Sequence, residues 1–140
     1  MKTMSTLSHI QAPSNFAYKK EQVTIHLHYT FTCDNRIFFF KTQYKDLLNH
    51  TYRLTVDVNS PIDESGLATD FMAIDALYHN KIRPLLDGQI LNETLVNMNT
   101  TAENIALWIR DEFNKILKPQ DDLIKVTLYE STNHGVTVTN

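Results

Sequence analysis

One alternation constrains this chain more than any other feature. From Val23 to Cys33 the odd positions Val23, Ile25, Leu27, Tyr29, Phe31 and Cys33 are apolar, whereas Thr24, His26, His28, Thr30 and Thr32 fill the even ones. A period of two sends successive side chains to opposite faces of a sheet, so this segment is a long strand with one buried face. A second alternation follows in Tyr52, Leu54, Val56 and Val58, with Arg53, Thr55 and Asp57 on the other face. The intervening segment turns the chain near residue 42, and the simplest connection is an antiparallel hairpin. A hairpin with one apolar face needs a second layer to cover it.

That layer comes next. After Pro61 and Gly66, the residues Phe71, Ile74, Tyr78, Ile82 and Leu85 fall on one helical stripe, with Asp70 or Thr69 placed to cap its first turn. Pro84 is expected to kink or end this helix. Thr100 and Glu103 have capping-box spacing and start a second helix, whose core face is Ala102, Ile105, Ala106, Ile109, Phe113 and Ile116. Lys118-Pro119 closes it, and alternation returns in Ile124, Val126 and Leu128, with Glu130 on the same parity. Asn133 to Gly135 form a turn before a last strand, Val136 to Val138. The order ββααββ predicts an α+β domain: an antiparallel sheet with two helices on one face. Residues 1–21, which contain Pro13, Ser14 and Asn15 without sustained periodicity, are expected as an N-terminal extension, and residues 22–140 as a single domain.

Composition removes several function classes. Thirteen Lys and Arg against sixteen Asp and Glu leave a net charge of -3, without the basic surplus that drives binding to a phosphate backbone, so nucleic acid is not an expected partner. The longest apolar run, Ile37 to Phe40, is far short of the roughly 20 residues that cross a bilayer, and residues 1–20 hold no apolar leader core. No membrane partner and a cytoplasmic location are the expectations. A single cysteine, Cys33, excludes an intrachain disulfide and any metal site built on paired cysteines. Its parity beside Phe31 reads as a small core residue. His79 near a helix end and His134 in a turn belong to no recognisable catalytic pair, and three glycines, at 66, 88 and 135, make no phosphate loop.

Several segments together resemble the 6-pyruvoyltetrahydropterin synthase and 6-carboxytetrahydropterin synthase family. Tyr29 to Ile37 is similar to a first strand of pattern F-x-F-x-A-A-H-R-L, and Leu48 to Val58 resembles the H-G-H-x-Y strand. Gly66 to Phe71 resembles G-x-x-x-D-F, Leu86 to Asn92 resembles L-D-H-x-x-L-N, Thr100 to Ile109 resembles P-T-A-E-N-x-A-x-W-I, and Val126 to Glu130 resembles V-x-V-x-E. The resemblance spans about residues 22–139 and implies the T-fold, a homo-oligomer that is usually hexameric, and active sites between subunits. It also implies roles. Glu130 matches the glutamate that accepts hydrogen bonds from the pyrimidine edge of a pterin, and Thr101 matches the threonine of the P-T-A-E-N element. The three zinc histidines fall on Asn35, Leu48 and His50, so His50 alone is kept as a metal ligand, and the catalytic cysteine falls near Tyr44. The aspartate of L-D-H is kept as Asp87, a candidate catalytic residue, but its histidine is Gly88.

A catalytic zinc takes three protein ligands and keeps a fourth position open, and one histidine cannot supply that. His26 and His28 do not rescue the site, because their parity points them away from Asn35 and seven residues of strand put roughly 23 Å between His28 and Asn35. In the hairpin, His50 is expected to face Asp34 or Asn35. Glu130 continues the apolar parity, so its carboxylate ends on the core side, where it needs donors. A frayed strand end that leaves Glu130 in water is the plain alternative. The capping role of Thr100 and Glu103 already accounts for the helix start around Thr101, and helix termination accounts for Asp87-Gly88. The expected function is binding of a pterin-like or purine-like ring without cofactor and without the zinc-dependent synthase reaction. An active synthase, a lyase acting on dihydroneopterin triphosphate with a rearranged zinc site, is the first alternative. A structural oligomeric module without ligand is the second.

Overall fold

A computed structural model describes residues 5–140. β1 (Gln22–Phe40) and β2 (Gln43–Pro61) pair antiparallel through a tight turn at Lys41 and Thr42. They are followed by α1 (Phe71–Leu77), α2 (Leu91–Thr94), α3 (Ala102–Ile116), β3 (Asp122–Tyr129) and β4 (Gly135–Thr139). The four strands lie in the order β1-β2-β3-β4, every neighbour antiparallel. The α+β expectation holds, with helices covering the apolar sheet face. That face is built from Leu27, Tyr29, Phe31, Tyr52, Leu54 and Val56, and α3 lays Ile105, Ala106, Ile109 and Phe113 against it. Tyr29 and Tyr78 stack with ring centroids 3.9 Å apart, and Phe113 lies beside both. No described helix is long and apolar enough to cross a membrane.

Three local readings need correction, each for a stated reason. The predicted stripe on the first helix buries Ile74, Tyr78 and Ile82, but leaves Phe71 and Leu85 exposed and buries Leu86. Past α1 the chain widens into a π-helical turn, Tyr78–Ile82, and then tightens at Arg83–Leu85. A wider turn keeps every fourth residue on one side, so the stripe runs 74, 78, 82, 86. The cap of α3 is Thr101, whose Oγ1 accepts from the Asn104 N–H at 3.1 Å, whereas Thr100 is wholly buried and bonded elsewhere. In β3 the buried residue is Leu123 and not Ile124, because one extra residue opposite Asp57 and Val58 bulges the strand and shifts its phase.

A second bulge matters more for function. Cys33 pairs with His50 but Asn35 pairs with Leu47, so β2 carries one residue more than β1 between them. Asn49 absorbs it at φ 48°, in the left-handed region that asparagine tolerates, and its N–H donates to Asp34 Oδ1 at 2.6 Å. The extra residue turns Leu48 out to solvent and Leu47 towards the core. Residues 17–21 run beside the loop after β2: Ile62 N–H donates to Glu21 O, Lys20 pairs with Glu64, and a Cβ at Gly66 would sit 2.7 Å from Phe16 O.

Candidate functional site

Asn35, Tyr52 and Thr100 meet where the two long strands pass the lead into α3. Asn35 is 3% exposed, and its Nδ2 donates to Thr100 O at 2.9 Å and to the Tyr52 hydroxyl at 3.1 Å, with Thr100 Oγ1 at 3.3 Å. One amide thereby ties β1, β2 and the lead into α3 together. A buried amide held this way is well satisfied, and its partners depend on it. Tyr52 is completely buried, stacks on Phe31 and meets the edge of His50 at a centroid distance of 4.7 Å. Burial pushes the Tyr52 hydroxyl above the usual tyrosine range, the Asn35 hydrogen bond opposes this, and the charges of Cys33 and Glu130 add to the rise.

Glu130 is the first residue beyond β3 and is half-buried. Tyr129 pairs with Arg53, so continuing the register by one residue sets Glu130 opposite Tyr52, on the core-facing parity. Its backbone is fixed by the turn, since the Glu130 and Ser131 N–H groups both donate to His134 O. Among the described residues its carboxylate has no hydrogen-bond partner. Thr101 is half-buried and spends its Oγ1 lone pair on the cap, leaving its hydroxyl proton free to donate.

Cys33 faces His50 across the hairpin, where Asp34 or Asn35 was expected, because the chain turns at Lys41 and Thr42, slightly earlier than expected, and the two register shifts, at Phe38/Phe40 and Cys33/Asn35, cancel. The thiol is 3% exposed and pushed up to about 12, first by burial and then by the charges of Asp34 and Asp87. It is a core residue and holds no thiolate at neutral pH. Asp87 accepts from Thr32 N–H at 2.9 Å and from Arg83 Nη2 at 3.2 Å, while Gly88 N–H donates to Thr32 O. Asp87 thus latches the segment after the first helix to the edge of β1, and both of its oxygens are engaged.

The zinc positions implied by the resemblance do not fit that metal. Asn35 has its amide committed to Tyr52 and Thr100, and Leu48 is a hydrocarbon 72% exposed. Only His50 keeps a free ligand atom: its Nε2 is buried and has no partner. Among the described residues no three His, Cys, Asp or Glu side chains are grouped to hold a metal ion. His26 and His28 lie on the far face of the sheet, bonded to Asp57 and Thr55. Tyr44, in the place of the catalytic cysteine, is exposed in the outer hairpin with the Arg36 guanidinium 3.8 Å over its ring.

Two cavities flank Asp34. One of about 370 Å³ is walled by Asp34, Asn35, Arg36, Asp46, Leu48 and Glu93, and one of about 210 Å³ by Cys33, Asp34, Asn49 and Gly88 among others. Neither is lined by Glu130 or Thr101. The sequence reading missed Tyr52 and Thr100 as site residues and counted them only as core and cap. The signal was present, since Tyr52 is the last residue of the H-G-H-x-Y match and Asn35, in a histidine's place, required a partner there.

Comparison with known proteins agrees with this arrangement. The profile of 6-pyruvoyl tetrahydropterin synthase matches residues 24–140. A dihydroneopterin monophosphate aldolase of Pyrococcus furiosus is 32% identical over 94 residues, covering 67% of this chain and 79% of that protein. A 6-pyruvoyl tetrahydrobiopterin synthase of Pongo abelii is 31% identical over 91 residues, 62% of each chain. The fold matches the 6-pyruvoyl tetrahydropterin synthase of Caenorhabditis elegans with a TM-score of 0.73 at 19% identity, over 88% of this chain and 99% of that one. An uncharacterised protein of Wolinella succinogenes matches with a TM-score of 0.63 at 13% identity, over 86% and 99%. The fold is therefore the T-fold, and with the profile covering all four strands and every helix the chain belongs to the 6-pyruvoyl tetrahydropterin synthase family.

Proposed function

We propose that this chain binds the pyrimidine edge of a pterin-like or purine-like ring through Glu130, with Thr101 as a second contact, and that it does so without the zinc-dependent synthase reaction. The observation that carries the reading is the position of Glu130, a half-buried residue directly after β3 that continues the register of Tyr129 with Arg53 towards Tyr52. A carboxylate in that position is stabilised by paired N–H donors, which a pterin edge offers side by side. Relatives named as a pterin synthase and a dihydroneopterin monophosphate aldolase support the ring class. The cavities at Asp34 do not reach Glu130, so one copy encloses the ring incompletely and a second copy of the chain completes the site.

The test is a thermal-shift titration with pterin on the purified protein. A ligand that binds only the folded state raises the melting temperature, and Glu130→Ala is expected to abolish that rise. An undiminished shift in the variant would remove Glu130 as the anchor. One observation favours a second reading, an active lyase: the buried, unpartnered His50 Nε2 is what a metal ligand presents before it ligates. About one zinc per chain after purification without chelator, together with turnover of dihydroneopterin triphosphate lost on chelation, would establish that reading over ours.

A further inference from the structure

The sheet face opposite the helices carries the even residues of the inner half of β1, and two of them, His26 and His28, are histidines spaced by two. That spacing puts both side chains on one face of the strand, and both residues are exposed. Neither ring swings freely. In the register Asp57 of β2 stands opposite His26 and Thr55 opposite His28. His26 Nδ1 bonds Asp57 Oδ1, and His28 Nδ1 lies 2.9 Å from Thr55 Oγ1. Asp57 is pinned in turn: it is only 5% exposed, and its second oxygen lies 3.8 Å from Lys125 Nζ on β3. A carboxylate only accepts, so the proton of the neutral His26 ring sits on Nδ1 and the lone pair on Nε2. The Thr55 hydroxyl accepts in the same way and gives His28 the same tautomer.

An imidazole whose Nδ1–H is held by an oxygen and whose Nε2 is bare is oriented as a metal ligand, and a carboxylate behind it raises its basicity. Strand residues two apart lie about 6.6 Å from each other, a span that two rings leaning together close onto one ion with Zn–N bonds of about 2.0 Å. Lys125 and Arg53, cations of the same face, are drawn elsewhere, Lys125 to Asp57 and Arg53 over the Tyr129 ring at 5.3 Å. His50 is separate from the pair, since it packs on Tyr52 in the buried layer. Two imidazoles without a thiolate suit zinc, copper(II) or nickel(II) and not magnesium or calcium, which take oxygen ligands. We propose that His26 and His28 bind one divalent transition-metal ion through their Nε2 atoms, with Asp57 and Thr55 as positioning residues and the remaining coordination positions open to water. The ring reading given above does not involve this face.

The test is calorimetric titration of the full chain, dialysed free of metal, with zinc and then with copper(II). Saturable uptake is expected, and His26→Gln and His28→Gln, both at exposed positions, are each expected to weaken it by about tenfold or more. Electron paramagnetic resonance of the copper(II) form is expected to show two imidazole nitrogens in the parent and one in either variant. Asp57→Asn, which keeps the volume and loses the charge, is expected to lower affinity by about tenfold with the nitrogen pattern unchanged, while His134→Gln leaves uptake as it is. Uptake that survives both histidine variants, or that is lost with His50→Gln and not with these two, overturns the inference. So does a copper(II) spectrum with fewer than two imidazole nitrogens in the parent.

Discussion

Replacing Asn35 by alanine removes the one side chain that joins β1, β2 and the start of α3. Two buried groups lose their partner: the Thr100 carbonyl, at 2.9 Å from Nδ2, and the Tyr52 hydroxyl, at 3.1 Å. Thr100 and Tyr52 are both at 0% exposure, so water does not replace the amide without opening the structure. A buried polar group left without a partner costs about 1–3 kcal/mol, so two of them and a small void amount to about 4 kcal/mol. For a chain of this size that corresponds to a fall of roughly 10 °C in melting temperature. Urea unfolding at fixed protein concentration, followed by circular dichroism, reads the change directly. Asn35→Asp sharpens the test, because the carboxylate lacks the donor that Thr100 requires and sits buried beside a carbonyl. Its folded-state pKa is raised, so the variant's stability relative to the parent falls as pH rises from about 4 towards neutrality. A loss below about 1 kcal/mol for Asn35→Ala, or an Asn35→Asp variant indifferent to pH, would refute the view that this amide holds the site together.

Two other expectations are independent of any ligand. Thr101→Ala is expected to cost about 1 kcal/mol in urea unfolding, as loss of an N-cap does, while Glu103→Ala costs only a few tenths, since Glu103 is exposed and closes no capping box. Stability is also expected to fall at alkaline pH: Cys33 and Tyr78 are each pushed up to about 12 by burial, and Tyr29 and Tyr52 are raised too. Groups whose folded pKa is raised keep their protons longer than the unfolded chain does, so their contribution is complete below about pH 9 and is lost above it. Urea midpoints measured from pH 8 to 11 should decline with a slope that steepens past the ordinary tyrosine range, and a flat profile would contradict the burial of these hydroxyls.

The architecture was legible because periodicity survives wherever one face meets the core. The alternation of Ile25 to Cys33 and the stripe from Ala102 to Phe113 are burial patterns written directly in residue type, although Val23, at the start of the same alternation, is exposed. What escaped is a set of one-residue phase changes. A bulge at Ile124 or at Asn49 leaves no mark in an apolar–polar string, because Leu123 and Ile124, or Leu47 and Leu48, are equally acceptable on either face. The cap was misplaced for a similar reason: Thr100 and Thr101 are both good N-caps, and only the buried demand of Asn35 decides which one turns inward. In the site, parity and resemblance together mark Glu130 as a candidate, whereas Tyr52 was hidden by being apolar enough to pass for packing alone.

Around the bulge at Asn49 the two sides of the hairpin carry different loads. On the inner side Asn35, Tyr52 and Thr100 are buried and bonded to one another, and substitution there is costly. On the outer side Asp46 and Leu48 stand in solvent, as does Glu93 on α2, and substitution there costs the fold little. Variation at the exposed positions is thus decoupled from the packed ones, so the outer end of the hairpin can change its surface chemistry with no need to rebuild the body that carries it.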